Sequence, residues 1–302
     1  MMKLSELLPK YLPQYEFDVK NERSFSTLGL VGSNTGRDKC TFLDRPEFAN
    51  KLPADVKMVI TTKDYANADF ADSVGVCIVE NPRVVFFRLH NALANEEAYA
   101  GEKEPTVIGE NCRIHPTAII SDYNVKIGDN VIIDEYVVIK NNVQIGDNCI
   151  IHAGVKLGDS DFEFKREGNE VFGVTHCGSV VIGHDVEILA NTGVNKALYP
   201  WDSTVIEDYV KIDMLCNISH GVKVGKETMI VALSGVGGRT VIGEKCWIGY
   251  GCIIRNGIVI GDNARVNMGA IVTRNVESNQ AVTGNFAIEH EKFMEDLKLR
   301  SK

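Results

Sequence analysis

The chain has 302 residues, a formal net charge of −9, a hydrophobic fraction of 44% and a charged fraction of 24%. This composition is ordinary for a globular protein of one large or two medium domains. The acidic balance argues against a nucleic-acid-binding protein. The first twenty residues hold no long apolar run, and the eight cysteines show neither a CxxC pair nor a zinc-ligand spacing. We therefore expect no membrane span, no bound metal and a cytoplasmic location.

Residues 1–100 predict a small α/β domain. Three short β-rich runs cover Lys39–Asp44, Val56–Thr62 and Val74–Glu80. Asp44, followed at once by an arginine and a proline, is typical of a helix start. A second helix is predicted to begin after Asn81 and to run through Leu93. The next stretch, 95–105, is rich in glutamate and predicts a charged linker.

Residues 101–276 repeat every six residues. The repeat fits neither the period of a helix, near 3.6, nor the period of two of a simple strand. It predicts a parallel β-helix, a prism in which each hexad forms one flat side and a corner. Residues four places further on are small or β-branched, which suits a narrow interior and explains five of the cysteines as small buried hydrophobes. The aliphatic positions are Ile108, Ile114, Ile120, Ile127, Ile133, Ile139, Ile145, Ile151, Leu157, Ile182, Ile188, Val194, Ile206, Ile212, Ile218, Val224, Ile230, Val236, Ile242, Ile248, Ile254, Ile260, Val266 and Val272.

Two segments interrupt this rhythm, Gly158–Ser179 and Lys196–Ser203. Insertions in a repeat protein usually lie on one face, which is often the binding face. Both segments are therefore predicted to be substrate loops. The rest of the chain, 277–302, is predicted to form a short helical tail over Glu289–Leu299.

The hexads resemble those of the hexapeptide-repeat acyltransferase superfamily, and this resemblance implies left-handed coiling and a homotrimer with active sites between neighbouring prisms. The segments Phe25–Leu93, Ile114–Ala118, Gly158–Ser179 and Ile212–His220 resemble, in order and spacing, the UDP-3-O-acylglucosamine N-acyltransferases of lipid A synthesis. The resemblance implies transfer of an acyl group from acyl carrier protein to the amine of a UDP-linked glucosamine derivative. It implies no resident cofactor, because the phosphopantetheine thioester is the acyl donor.

The same resemblance implies three catalytic residues. His220, in the motif Ile218–Gly221, matches the family's general base, and a neutral imidazole suits removal of an amine proton near pH 7. Asp213 matches an aspartate that orients or stabilises the imidazolium. Gly238 matches a glycine whose backbone amide stabilises the tetrahedral oxyanion.

Five further residues are predicted to bind substrate. Phe42 and Phe48 match two aromatic residues that clamp the uracil ring, and stacking on a flat ring suits an aromatic base. Phe162 and Phe164 match an aromatic pair in the family's sugar-side loop. His176 lies in the long insertion, from which it can reach the substrate.

Two departures from the family pattern leave the donor and the acceptor sugar open. Gly257 stands where the lipid A enzyme has a second histidine, and the tail is shorter than the helical extension that helps to bind acyl carrier protein. The segments Ile248–Gly251 and Gly269–Val276 also resemble acetyl-CoA-dependent N-acetyltransferases of nucleotide amino sugars. A third alternative is a scaffold or sugar-nucleotide sensor without catalysis.

Overall fold

The N-terminal part of the protein is a five-stranded sheet with helices packed against it. In the computed structural model, which describes residues 1–45, 52–65, 70, 72–284 and 287–300, the strands follow the spatial order β1-β5-β4-β3-β2. Strand β1 runs antiparallel to β5, and the remaining neighbours are parallel. The strands are β1 (Asp18–Lys20), β2 (Thr27–Leu28), β3 (Lys39–Phe42), β4 (Val56–Thr61) and β5 (Gly75–Ile78).

Helix α2 (Pro82–Leu93) packs on β3 and β4, and helix α1 (Leu4–Tyr11) packs against α2. The predicted start of α2 is confirmed, because the side chain of Asn81 accepts a hydrogen bond from the Val84 amide at 3.2 Å. A single 3₁₀ turn covers Lys63–Tyr65. The helix predicted from Asp44 extends into 46–51, which lie outside the described residues.

The segment predicted as a linker contains a short helix, α3 (Glu97–Ala100). Its Tyr99 is buried, and the Tyr99 hydroxyl lies 3.0 Å from Nδ1 of His90 on α2. The linker was predicted because the segment is rich in glutamate. The structure shows that one buried aromatic residue ties this segment to the N-terminal core.

The hexads form a β-helix with three parallel sheets, as predicted, and its left-handed coiling stays a prediction. Among the described residues one sheet consists of β6 (Val107–Ile108), β9 (Val125–Ile127), β12 (Val143–Ile145), β17 (Ser179–Ile182), β20 (Ser203–Ile206), β23 (Lys223–Val224), β26 (Val241–Ile242) and β29 (Val259–Ile260). The second consists of β7 (Arg113–Ile114), β10 (Ile132–Ile133), β13 (Ile150–Ile151), β18 (Glu187–Ile188), β21 (Lys211–Ile212), β24 (Met229–Ile230), β27 (Trp247–Ile248), β30 (Arg265–Val266) and β32 (Ala281–Val282). The third consists of β8 (Ile119–Ile120), β11 (Val138–Ile139), β14 (Lys156–Asp159), β19 (Gly193–Asn195), β22 (Asn217–Ile218), β25 (Gly235–Val236), β28 (Ile253–Ile254) and β31 (Ile271–Val272).

The aliphatic positions of successive coils stack inside the prism. Ile212 pairs with Ile230, and Ile230 pairs with Ile248, so one coil takes eighteen residues. These side chains are buried, as are Cys216, Cys246 and most of the other small residues of the second register. The interior is therefore a continuous apolar column, which makes each corner a fixed platform for the residues that project from it.

The two interruptions fold against the N-terminal part. Most of Gly158–Ser179 becomes an antiparallel hairpin of β15 (Phe164–Glu167) and β16 (Glu170–Gly173). Arg88 of α2 binds Glu167 and Glu170 of this hairpin at 2.9 and 2.6 Å. In the second interruption, the indole of Trp201 donates to the Leu28 carbonyl at 2.8 Å.

The described part of the tail forms α4 (His290–Arg300), near the predicted position. Within the described ranges, no helix has both the length and the apolar character that crossing a bilayer requires.

Candidate active site

His220 lies at a corner of the prism, immediately after β22. Ile218 points into the interior and is fully buried, so the chain turns outward over Ser219 and His220. Gly221 completes the corner with φ of +68°, a left-handed conformation that glycine adopts without strain. The imidazole is mostly covered, with 13% of the side chain exposed.

Asp161 of the inserted segment holds His220 at two points. Its Oδ2 atom accepts hydrogen bonds from the ring Nδ1 at 2.8 Å and from the His220 amide at 2.9 Å. Burial acts to raise the pKa of Asp161, but the hydrogen bonds from His220 and from the Phe162 amide outweigh it and hold the pKa well below its usual value. An ionised Asp161 places the ring proton on Nδ1, which leaves a lone pair on Nε2.

Gly238 lies directly against the face of this imidazole, one coil further along the chain. A Cβ atom at Gly238 would come within 2.6 Å of Cε1 and 2.7 Å of Nε2 of His220. Among the described residues the Gly238 amide donates no hydrogen bond, whereas the neighbouring Arg239 amide donates to the His220 carbonyl at 2.9 Å. Gly238 and His220 both line the same cavity, and a backbone N–H that is available to a ligand there is what an oxyanion site needs.

Glu163 provides a second carboxylate at the imidazole. Its Oε2 atom lies 3.9 Å from Nε2 of His220, and its Oε1 atom forms an ion pair with Lys165. The Glu163 backbone is fixed, because its carbonyl accepts from the Val174 amide across the hairpin at 2.8 Å. His220 therefore lies between two acidic side chains of the same insertion.

His176 packs edge-to-face against His220, with ring centroids 5.6 Å apart. Its Nδ1 donates to the Val174 carbonyl at 3.1 Å, and its buried Nε2 has no hydrogen-bond partner among the described residues. Burial, followed by the charge of His220, lowers the pKa of His176 to about 4. His176 is therefore a buried, neutral ring that packs against the candidate base and is not among the residues that line the cavity at His220.

A cavity of about 440 Å³ opens at these groups. It is large enough for a small organic group, and its lining is mostly polar. The lining residues are Asp161, Phe162, Glu163, Ser219, His220, Gly238, Arg239, Asn256 and Gly257.

Phe162 lines this cavity, and its ring packs against that of Phe164. Phe162 is 85% exposed and Phe164 is 49% exposed, and their ring centroids are 4.9 Å apart. Exposed, paired aromatic rings are available to a ligand.

Phe42 lies at the end of β3, with its ring centroid 5.0 Å from that of Phe86 and 5.8 Å from that of Phe87. It is half-buried, so part of its surface remains open. Phe48 lies outside the described residues.

Asp213 does not contact His220. Its Oδ1 atom accepts from the Met214 amide at 2.7 Å, and its Oδ2 atom accepts from the Ala232 amide at 3.1 Å. Both carboxylate oxygens of Asp213 therefore accept hydrogen bonds from backbone amides, one in the same coil and one in the next coil. The carboxylate that is hydrogen-bonded to the imidazole is that of Asp161.

Asp161 and Glu163 were missed by the sequence prediction. A signal was present, because acidic residues alternate with Phe162 and Phe164, and a nearly extended chain directs alternate side chains to opposite sides. Nothing in that pattern indicates which histidine the acidic side faces.

Comparisons with known proteins agree with this architecture. A family model of the bacterial transferase hexapeptide repeat matches residues 124–159, and a model of the hexapeptide repeat of succinyl-transferase matches residues 239–274. A UDP-3-O-acylglucosamine N-acyltransferase of Delftia acidovorans is 38% identical over 138 residues, which are 46% of this chain and 41% of that protein. The enzyme of the same description from Bordetella pertussis is 27% identical over 305 residues, covering 88% of this chain and 81% of that protein.

Among solved structures, a UDP-N-acetylglucosamine acyltransferase from Campylobacter jejuni aligns with a TM-score of 0.48 and 19% identity, over 60% of this chain and 68% of that one. The repeat matches and the long Bordetella alignment together cover both the β-helix and the N-terminal part. The chain contains two stretches that match hexapeptide-repeat models of transferases, and its similarity to the UDP-3-O-acylglucosamine N-acyltransferases extends over most of its length.

Proposed function

We propose that the protein is an N-acyltransferase that moves an acyl group from an acyl carrier protein thioester to the amine of a UDP-linked glucosamine-type sugar. The observation that carries the proposal is the contact of His220 with Asp161 on one side and Gly238 on the other. Base, orienting carboxylate and free amide are the three groups that acyl transfer to an amine requires.

The reaction follows from the protonation states. Asp161 keeps the proton on Nδ1, so Nε2 of His220 accepts a proton from the sugar amine as its nitrogen attacks the thioester carbonyl. The carbonyl oxygen becomes an oxyanion next to the Gly238 amide. When the tetrahedral intermediate collapses, the C–S bond breaks and the proton on His220 passes to the thiolate, which leaves a new amide and a free thiol.

The sugar nucleotide would extend from this site to the N-terminal sheet. Phe42 and Phe48 would hold the uracil, while Phe162 and Phe164 would contact the sugar or the acyl chain. A physical link joins the two ends, because Phe42 packs on Phe87 and the Lys165 ammonium lies 4.4 Å from the Phe87 ring centroid.

A homotrimer is part of the proposal. Several large apolar side chains project outward from the third sheet, where a single prism leaves them in contact with water. Ile119, Ile253 and Ile271 are at least half exposed on this face. Burial of such a face against a second copy would be favourable.

The cytoplasmic location expected from the sequence stays a prediction.

An acetyl-CoA-dependent reaction is the second candidate, and Gly257 favours it. This residue lines the cavity where the lipid A enzymes have a second histidine, so one polar contact to the larger substrate is absent.

Turnover distinguishes the candidates. Purified protein is mixed with a UDP-amino sugar and with either acyl carrier protein thioesters or acetyl-CoA, and thiol release is followed. Release with the carrier protein alone supports the first candidate, and release with acetyl-CoA alone supports the second. Absence of release with every donor would identify a non-catalytic scaffold, and undiminished release by His220→Ala would refute the base assignment.

A further inference from the structure

The gap between Glu163 and His220 has a defined chemical character. The distance of 3.9 Å between Oε2 and Nε2 is too long for a direct hydrogen bond. With the ring proton held on Nδ1 by Asp161, both atoms facing the gap are acceptors. One donor placed between these two acceptors in the wall of the cavity can bind both of them.

An amine fits this gap better than a hydroxyl group. Hydrogen bonds of about 2.9 Å to each acceptor can converge on one atom, because the two acceptors are closer together than twice that distance. An amine or ammonium nitrogen carries two or three hydrogens and can donate to both acceptors. A hydroxyl oxygen has one hydrogen and satisfies only one of them.

Lys165 holds in place the Glu163 carboxylate, which distinguishes an amine from a hydroxyl group. It binds Oε1 and so leaves Oε2 directed at the gap. The side chains of Lys165 and Glu163 are 15% and 20% exposed, and the Lys165 ammonium also rests on the Phe87 ring. A mostly covered ion pair of this kind holds its geometry more firmly than an exposed pair does.

We infer that Glu163 is the residue that makes the site specific for an amine acceptor. The inference rests on the proposed function and adds a residue that distinguishes an amine from a hydroxyl group on the sugar. The amino sugar enters as an ammonium bound to Glu163 and loses one proton to water. The neutral amine then attacks the thioester while its second proton passes to His220 and on to the leaving thiolate. The products are an amide, a thiol and one released proton.

Binding without an acyl donor tests this inference separately from catalysis. Calorimetric titration compares UDP-glucosamine with UDP-glucose, which has a hydroxyl group in place of the amine, on the wild type and on Glu163→Gln. We expect the wild type to prefer the amine by about tenfold, which corresponds to about 1.4 kcal/mol. We expect Glu163→Gln to lose most of this preference, because the charge is removed while an oxygen that can still bind Lys165 remains.

Glu170→Gln is the matched control. Glu170 lies in the same inserted segment, binds Arg88 and is not among the residues that line the cavity, so its substitution should keep the tenfold preference. Thermal melts of both variants confirm that they are folded.

The results separate the two proposals. Equal affinity of the wild type for both sugars, or a preference that survives in Glu163→Gln, overturns the assignment of Glu163 and leaves the acyltransferase proposal in place. Failure of the wild type to bind either sugar overturns both.

Discussion

Asp161 binds His220 through one oxygen atom, which accepts from the ring Nδ1 at 2.8 Å and from the backbone amide at 2.9 Å. The two residues are 59 positions apart in the chain. The double contact fixes both the position of the imidazole and the atom that carries its proton. The proposed catalysis by His220 therefore depends on a residue of the inserted segment.

Replacement of Asp161 is expected to slow the chemical step. In Asp161→Ala the ring can rotate and take the other tautomer, so kcat should fall by about 10²–10⁴-fold while KM for the sugar nucleotide changes little. Steady-state kinetics with varied sugar nucleotide measures both quantities. An unchanged kcat in a folded variant would show that Asp161 has no part in positioning the base.

Asp213→Ala should act on stability. The Asp213 carboxylate accepts hydrogen bonds from the amides of Met214 and Ala232. Loss of these two hydrogen bonds should lower the free energy of unfolding by about 1–2 kcal/mol. Urea unfolding followed by circular dichroism gives this value. If the variant kept its stability and lost kcat instead, Asp213 would return as a residue that acts through His220.

Gly238→Ala should inactivate the site without unfolding the chain. The new methyl group would lie 2.6 Å from Cε1 of His220, so the imidazole must move away from the position that Asp161 defines. We expect a loss of kcat/KM of about 10²-fold or more, since a general base contributes about 10²–10⁴-fold and the displaced imidazole can no longer act as one. Gly235→Ala is the control in the same coil, because its methyl group would meet only the flexible end of Ile253 at 3.4 Å. Equal activities of the two variants would contradict the placement of Gly238.

Stability should decline in mild acid because of two buried histidines. Burial lowers the pKa of His90 and of His176 to about 4, below the ordinary value of 6.5. The unfolded chain therefore binds more protons than the folded chain between these values, and the free energy of unfolding falls as pH falls through that window. The full loss is about 3 kcal/mol for each histidine. Asp161 adds to it only at lower pH, because its pKa lies below the ordinary value of 3.8.

Urea unfolding at pH 7 and at pH 4.5 measures this decline. His90→Gln keeps a donor for the Thr175 carbonyl but cannot be protonated, so it should show about half the pH dependence of the wild type. A free energy of unfolding that is the same at both pH values would contradict the burial of these neutral rings.

Phe162→Ala should leave stability unchanged and weaken substrate binding. The side chain is 85% exposed, so its removal should change the free energy of unfolding by less than about 0.5 kcal/mol. If the ring contacts the sugar or the acyl chain, KM should rise several-fold. Phe172→Ala serves as the contrast, because Phe172 is buried in the N-terminal core. Its replacement should lower the free energy of unfolding by about 3–5 kcal/mol. An unchanged KM in Phe162→Ala would remove this ring from the binding site.

The fold could be predicted because the position of a residue within the six-residue repeat determines where it lies in the coil. Ile212, Ile230 and Ile248 occupy equivalent positions in successive coils, so a regular spacing in the sequence corresponds directly to a stack in the interior. His220 and Gly238 are likewise one coil apart, which places them at neighbouring corners. These relationships need only the repeat.

The rest of the site does not follow the repeat. Asp161 and Glu163 reach His220 because their hairpin is held against α2, and no periodicity relates these residues to the coil of His220. Asp213 illustrates the converse. Its match to the family pattern rests on order and spacing, whereas its carboxylate accepts hydrogen bonds from the Met214 and Ala232 amides. Local hydrogen bonds of this kind are not visible in the sequence.

The anchoring of the hairpin has a consequence for assembly. Arg88 and Tyr15 of the N-terminal part bind Glu167, and the same strand of the hairpin leads back to the two carboxylates at His220. A chain in which the β-helix has formed but the N-terminal sheet has not yet docked carries His220 without its aligned partners. Alignment of the catalytic groups thus requires that the N-terminal part and the β-helix are both folded and in contact with the hairpin.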